Sequence, residues 1–155
     1  MPSEVEARLE RILGDYLSLE RRLERMERYD SPIYVPWTSY QATSTIVGWD
    51  TRSVNLLYYK RVGDLVYIEY NFYGVSDATT ISFTLPYTHN GVADMYELVS
   101  WVHDNGVTAT SPGLLIMSNG SAIATVYKTM ASGGWTNINN KGIYGNFWYR
   151  TTQAV

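Results

Sequence analysis

Beyond residue 30 the chain holds two histidines and seven carboxylates, and acid–base or metal chemistry would have to be built from these. His89 and His103 each lack a second metal ligand at a useful spacing. The absence of cysteine removes thiolate zinc sites, disulfide scaffolds and thiol nucleophiles. Serines are plentiful, but no G-x-S-x-G nucleophile elbow is present. A glycosidase needs two carboxylates facing one cleft, and the stock is Asp50, Asp64, Glu69, Asp77, Asp94, Glu97 and Asp104. Asp77 and Asp94 sit in turn-rich contexts that solvate loops. Glu69 and Glu97 lie in strand-like stretches, where contact between copies could bring them together. The expectation is a protein that is not an enzyme, with no catalytic residues, no cofactor and no metal.

Aromatic side chains are the other chemical resource: 14 Tyr and 5 Trp against 3 Phe. A tyrosine buries its ring while its hydroxyl stays wet, which suits broad, half-exposed contacts. Two uses fit, a surface that stacks on a sugar or receptor, and packing between subunits on top of ordinary β propensity. For any single ring the packing use is favoured. Trp49, Tyr87 and Trp135 stand beside turn residues and are the candidate ligand-binding rings.

These groups belong to a chain of two unlike parts. Residues 1–30 carry six Arg and eight acidic residues, whereas the other 125 residues carry six basic and seven acidic groups. The formal net charge of -3, with no Lys/Arg-rich run, is a poor basis for gripping nucleic acid. No stretch approaches the roughly 18 apolar residues of a membrane span, so membrane insertion is not expected. Met1-Pro2-Ser3-Glu4 lacks the basic and apolar regions of a secretory signal.

In the charged part, Val5, Leu9, Ile12, Tyr16, Leu19, Leu23 and Met26 fall at alternating spacings of four and three. That is a heptad seam, with Leu9, Tyr16 and Leu23 at a, and Val5, Ile12, Leu19 and Met26 at d. Ser3 and Glu6 fit a capping box at its start, and Pro32 and Pro36 stop it soon after Asp30. The spacing predicts a helix of ~27 residues, roughly 40 Å long. An amphipathic helix lying on its own domain would show a similar stripe. The strict repeat, flanked by charge of both signs, favours a coiled coil instead. Arg22-Leu23-Glu24-Arg25-Met26-Glu27 resembles the R-h-x-x-h-E signature of three-stranded coils, in which Arg22 reaches Glu27 of a neighbouring chain. Leu13 and Leu17 broaden the apolar face, which also suits more than two strands. Asp15 facing Glu20 opposes the pairing mildly. The expected partner is the chain itself, as a homotrimer.

After Pro36 the period changes to two. Leu65–Tyr73, Ile81–Leu85, Tyr96–His103, Gly113–Ser118, Ala122–Tyr127, Ile143–Arg150, Val54–Arg61 and Thr43–Val47 read as strands, about eight in all. Asn119-Gly120, Asp104-Asn105-Gly106 and Val62-Gly63-Asp64 mark hairpins. With no crossover helices, a parallel α/β sheet is excluded. The expected fold is mainly β: an N-terminal α-helical trimeric coiled coil followed by an antiparallel β-sandwich, jelly-roll-like, head. The expected boundaries are 1–30 for the stalk, 31–37 for a Pro-flanked linker and 38–155 for the head.

Four stretches carry a family resemblance: Trp37-Thr38-Ser39-Tyr40, the strand–turn–strand of residues 59–68, Ile81-Ser82-Phe83-Thr84-Leu85-Pro86, and the glycine-punctuated aromatic run of residues 142–150. Together with the heptads, they resemble bacteriophage tail fibres and related virion appendages, and the head is similar to trimeric jelly rolls of the tumour necrosis factor type. The resemblance implies a virion protein, made in the host cytoplasm without a signal peptide, whose head binds a host surface glycan or protein receptor. It also implies another virion protein as partner at the N-terminus. The alternative it leaves open is a capsid decoration or head-fibre structural protein anchored through the coil.

Overall fold

The structure is a computed structural model that describes residues 16, 18–20 and 33–154. The chain divides into two units, Met1–Pro32 and Ile33–Val155. In the first, Tyr16, Ser18, Leu19 and Glu20 are helical, and Tyr16 and Leu19 are exposed. The other seam positions, Val5, Leu9, Ile12, Leu23 and Met26, and the pair Arg22 and Glu27, lie outside the described residues.

The described residues of the second unit form eleven strands: β1 (Tyr34–Ser39), β2 (Ile46–Val47), β3 (Trp49–Val62), β4 (Leu65–Ser76), β5 (Ile81–Thr84), β6 (Met95–Val99), β7 (Trp101–Asp104), β8 (Val107–Thr108), β9 (Gly113–Met117), β10 (Ile123–Tyr127) and β11 (Asn140–Arg150). They form a six-stranded sheet in the order β1-β3-β4-β11-β7-β8 and a five-stranded sheet in the order β2-β5-β10-β9-β6. Every pairing is antiparallel.

The pairs nest: β4 with β11, β5 with β10, β6 with β9, β7 with β8. The segment from Leu65 to Arg150 is therefore one long hairpin folded over into two layers. At Ser100 the chain leaves β6 of one sheet and enters β7 of the other, which splits the single strand expected over Tyr96–His103. The layers meet through rings, with Phe83 of β5 centred 5.7 Å from Phe72, 5.4 Å from Tyr70 and 6.4 Å from Phe147. Leu57, Val66, Ile68, Leu115, Met117, Ala124, Val126, Ile143 and Tyr149 also belong to this shared core.

One expected boundary is corrected. The linker placed at 31–37 overlaps β1, which pairs with β3 as an edge strand. Pro36 obscured it, because a proline lacks the N–H that a central strand donates. Here the register shifts between Val35 and Thr38, and this edge irregularity accommodates the proline. The turns came closer to expectation. Asn105 and Gly106 both take positive φ (54° and 78°) between β7 and β8, the requirement of a type I′ hairpin. Gly63 opens the two-residue turn between β3 and β4 at φ 61°. Between β9 and β10 only Gly120 adopts positive φ, so that connection is not a type I′ turn at Asn119-Gly120.

Candidate functional site

Alternation along β3, β4, β7 and β11 sends every second side chain to the outer face of the six-stranded sheet, and the register sets them in rows. Lys60, Tyr67 and Trp148 form one row, and Tyr58, Glu69 and Asn146 the next. Leu56, Asn71, Tyr144 and Trp101 follow, then Val54, Tyr73, Gly142 and His103. Trp37 comes in from the shifted register of β1, beside Lys60.

The end of this face nearest the β3–β4 turn is concave. A groove of about 340 Å³ is lined by Trp37, Lys60, Tyr67, Glu69, Asn146 and Trp148, with Ile68 and Phe147 at its base. The Lys60 ammonium lies 5.1 Å from the centre of the Trp37 ring and 4.8 Å from that of Tyr67. Such cation–π contacts hold the amine over the rings and leave its donors open. Among the described residues the ion pairs are Lys128–Asp104 and Arg150–Asp64, so neither Lys60 nor Glu69 is neutralised by a partner there. Trp37 and Trp148 each keep about half their surface exposed (50% and 47%).

At the other end of the face, rings close on one another. Trp101 and His103 stack at 5.6 Å and 20°, and Tyr73 meets them at 6.2 and 5.4 Å. Gly142 makes this possible, because a Cβ there would come within 2.7 Å of both the Trp101 and Tyr73 rings. These two rows contain no carboxylate, Lys or Arg, while Leu56 and Tyr144 remain exposed. Gly145 does the matching service on the inner face, where its bare backbone is covered by the Tyr70 phenol.

The rings singled out from turn context lie elsewhere. Trp49 and Trp135 are buried, and their indole N–H groups donate to the carbonyls of Lys141 (2.9 Å) and Val126 (2.7 Å). Their faces flank the wholly buried Lys141 ammonium at 5.9 and 6.0 Å, and that ammonium donates to the Ala78 carbonyl. Burial pushes the Lys141 amine below its usual value, against the opposing pull of Asp77 and Asp104. The expectation that Trp49 and Trp135 offer ring faces to a ligand is therefore corrected, since both are fastened inside the fold.

Tyr87 is half-buried at the opposite end of the core. Its ring carries the Arg61 guanidinium at 4.6 Å, and its carbonyl accepts from the Tyr149 hydroxyl at 2.8 Å. Arg61 is itself buried, donating through Nε to the Gly63 carbonyl at 2.8 Å. Tyr87 thus acts as an internal contact that joins the 85–94 loop to β3 and β11. It does not share the groove with Trp37 and Trp148.

The titratable groups are dispersed into structural duties. Asp104 accepts from Lys128 Nζ at 2.9 Å and from the Thr136 hydroxyl at 2.8 Å. Burial raises its carboxyl, but Lys128 and Thr136 outweigh that and leave it below the usual carboxylate range. Asp94 caps the Asn119 amide, and Asp64 pairs with Arg150. Glu69 faces the groove, while Glu97 belongs to the other sheet, where burial raises its carboxyl. The buried His89 has its Nε2 3.2 Å from the Ala93 carbonyl, and His103 is held in the ring stack. Among the described residues no group of three or more His, Cys, Asp or Glu is placed to hold a metal.

No protein-family model and no curated protein matches the chain. The groove residues are not among the rings that turn context marks as ligand-binding, although the sequence carries a signal for them. It lies in the run 143–150, where Ile143, Phe147 and Tyr149 alternate with Tyr144, Asn146 and Trp148, buried against exposed in the structure.

Proposed function

We propose that the chain is a non-enzymatic subunit of a homotrimeric virion fibre. In this reading residues 1–30 are a coiled-coil stalk, and the β unit is a jelly-roll-like head that binds a host surface receptor or glycan. The observation that carries the reading is the outer face of the six-stranded sheet, with its exposed aromatic rows. Its uncharged half, around Leu56, Tyr73, Trp101 and Tyr144, suits packing against other copies, because burying it strands no charge. Its grooved half keeps unneutralised polar groups for a ligand.

Further support comes from both units. The exposure of Tyr16 and Leu19 on helical backbone is what seam positions of a single chain present before assembly. The nested pairing of β4–β11, β5–β10, β6–β9 and β7–β8 is the pattern of a rolled-up hairpin, which supports the jelly-roll-like description. The virion setting rests on the resemblance of the sequence to phage fibres. Three heads on one stalk would present three equivalent sites, so that weak contacts gain by avidity.

The test is a light-scattering mass combined with adsorption of the purified chain to bacterial cells. The expected mass is about three times 17.6 kDa. A monomer overturns the assembly, and a trimer that binds virions through residues 1–30 while ignoring every cell replaces attachment with decoration.

A further inference from the structure

We propose that the groove formed by Trp37, Tyr67 and Trp148 is a carbohydrate site that takes a hexopyranose ring of a surface glycan. The inference rests on the attachment reading and narrows its receptor from protein or glycan to glycan.

A pyranose presents a C–H face that is apolar and a rim of hydroxyls, each both donor and acceptor. A site for it therefore needs an exposed ring face beside fixed groups of both hydrogen-bonding kinds. Trp148 and Trp37, half-exposed on the groove, supply the ring faces. Lys60 offers donors only, Glu69 acceptors only, and Asn146 both. Register fixes these groups: Tyr67 stands between Lys60 and Trp148 in one row, and Asn146 pairs directly with Glu69 in the next. They stand on the interior strands β3, β4 and β11 of the sheet, apart from Trp37 on the edge strand β1, so most of the site is built on a rigid support.

The charges argue for a sugar over a protein surface. Lys60 and Glu69 both lack an ion-pair partner among the described residues. A dry protein contact would have to desolvate both charges, at a cost of several kcal/mol for each ion. Hydroxyls can satisfy an ammonium and a carboxylate without neutralising either. The volume of about 340 Å³ lies at the small end of the roughly 300–1,000 Å³ span of small-molecule sites. That leaves room for a single ring with bridging water. The pocket on the far side of Trp148, by contrast, is lined by His89, Gly91, Val92, Ala93, Asp94, Met95 and Arg150, with Trp148 as its only tryptophan, and lacks the second ring face.

The experiment titrates the full chain with the methyl glycosides of glucose, galactose, mannose, N-acetylglucosamine and glucuronic acid, and with oligosaccharides of each. Binding is read by saturation-transfer NMR and tryptophan fluorescence. At least one member should bind, with Trp148→Ala weakening it ten-fold or more and Lys60→Ala or Asn146→Ala several-fold. Tyr96→Ala, on the opposite sheet, should leave it unchanged. If Trp148→Ala does not fold, the two polar variants carry the test by themselves. No response to any member, or binding that survives all three groove variants, overturns the assignment. A chain that adsorbs to cells but answers no sugar overturns the sugar assignment alone. A chain that binds sugars in the groove but adsorbs to no cell overturns attachment alone.

Discussion

On β4 and β11 aromatic rings point to both sides of one sheet. Tyr70, Phe72, Phe147 and Tyr149 face inward and are buried, in contact with the opposite layer and with one another. Tyr67, Tyr73, Tyr144 and Trp148 face outward, and Tyr144 and Trp148 keep 39% and 47% of their surface. The charged groups divide the same way. Inside, Lys141 is capped by the Ala78 carbonyl, Asp104 by Lys128 and Thr136, and Arg61 by the Gly63 carbonyl and the Tyr87 ring. Outside, Lys60 and Glu69 remain without an ion-pair partner among the described residues. Residue type does not separate the two sets; the presence of the second sheet does. A group that loses water on folding gains by finding partners within the fold, as these atoms do, whereas Arg61 Nη1 and the Tyr70 hydroxyl are buried without a hydrogen-bond partner. A group that keeps its water can hold its partners in reserve for a ligand or another copy.

The comparison breaks most readily from inside. Phe72→Ala removes a ring that touches Trp49, Tyr70 and Phe83. It should cost about 3–5 kcal/mol, read as a lower midpoint in denaturant melts at unchanged oligomer concentration. A cost near zero would mean that the inner rings are no more structural than the outer ones.

Next in size is the internal charge. The Asp104 carboxyl is held below its usual range in the fold, so its contribution is complete above the unfolded carboxylate value of about 4. It is lost as pH falls through the lower folded value. Asp104→Asn should therefore cost about 2 kcal/mol at neutral pH, discounted from a fully buried pair because Lys128 is partly exposed. It should also flatten the acid limb of the stability profile, and parallel wild-type and variant curves below pH 4 would contradict the assignment.

The smallest effect on stability belongs to the outer face. Trp148→Ala should cost only about 1 kcal/mol, because the ring is half-exposed and has no second sheet over it. A loss of the size expected for Phe72→Ala would place Trp148 with the core.

Much of the fold was legible in the residues. Period-two alternation located β3, β4, β5, β9, β10 and β11, and the Asp104-Asn105-Gly106 and Val62-Gly63-Asp64 turns were read from residues that tolerate positive φ. What failed did so for identifiable reasons. Pro36 looked like a stop, because a proline's missing N–H breaks a central strand; only the position of β1 at the sheet edge, with its shifted register, makes it compatible. Trp49 and Trp135 looked like loop aromatics because of the turn residues beside them. Their burial goes with the acceptance of the indole protons by Lys141, far off in sequence, and by Val126 of β10.

The sequence by itself determined the local grammar: where the period is 3.5 and where it is two, which positions share a face, and which turns close hairpins. These follow from backbone geometry and side-chain shape within a few residues. Only the tertiary structure decided which aromatic face is covered, that Trp37 on β1 reaches Lys60 on β3, and that Glu69 and Asn146 meet across β4 and β11. Those outcomes depend on which strands pair and which sheet lies opposite. Both are set by the free energy of burying the whole chain's apolar surface at once, a sum that no local window contains.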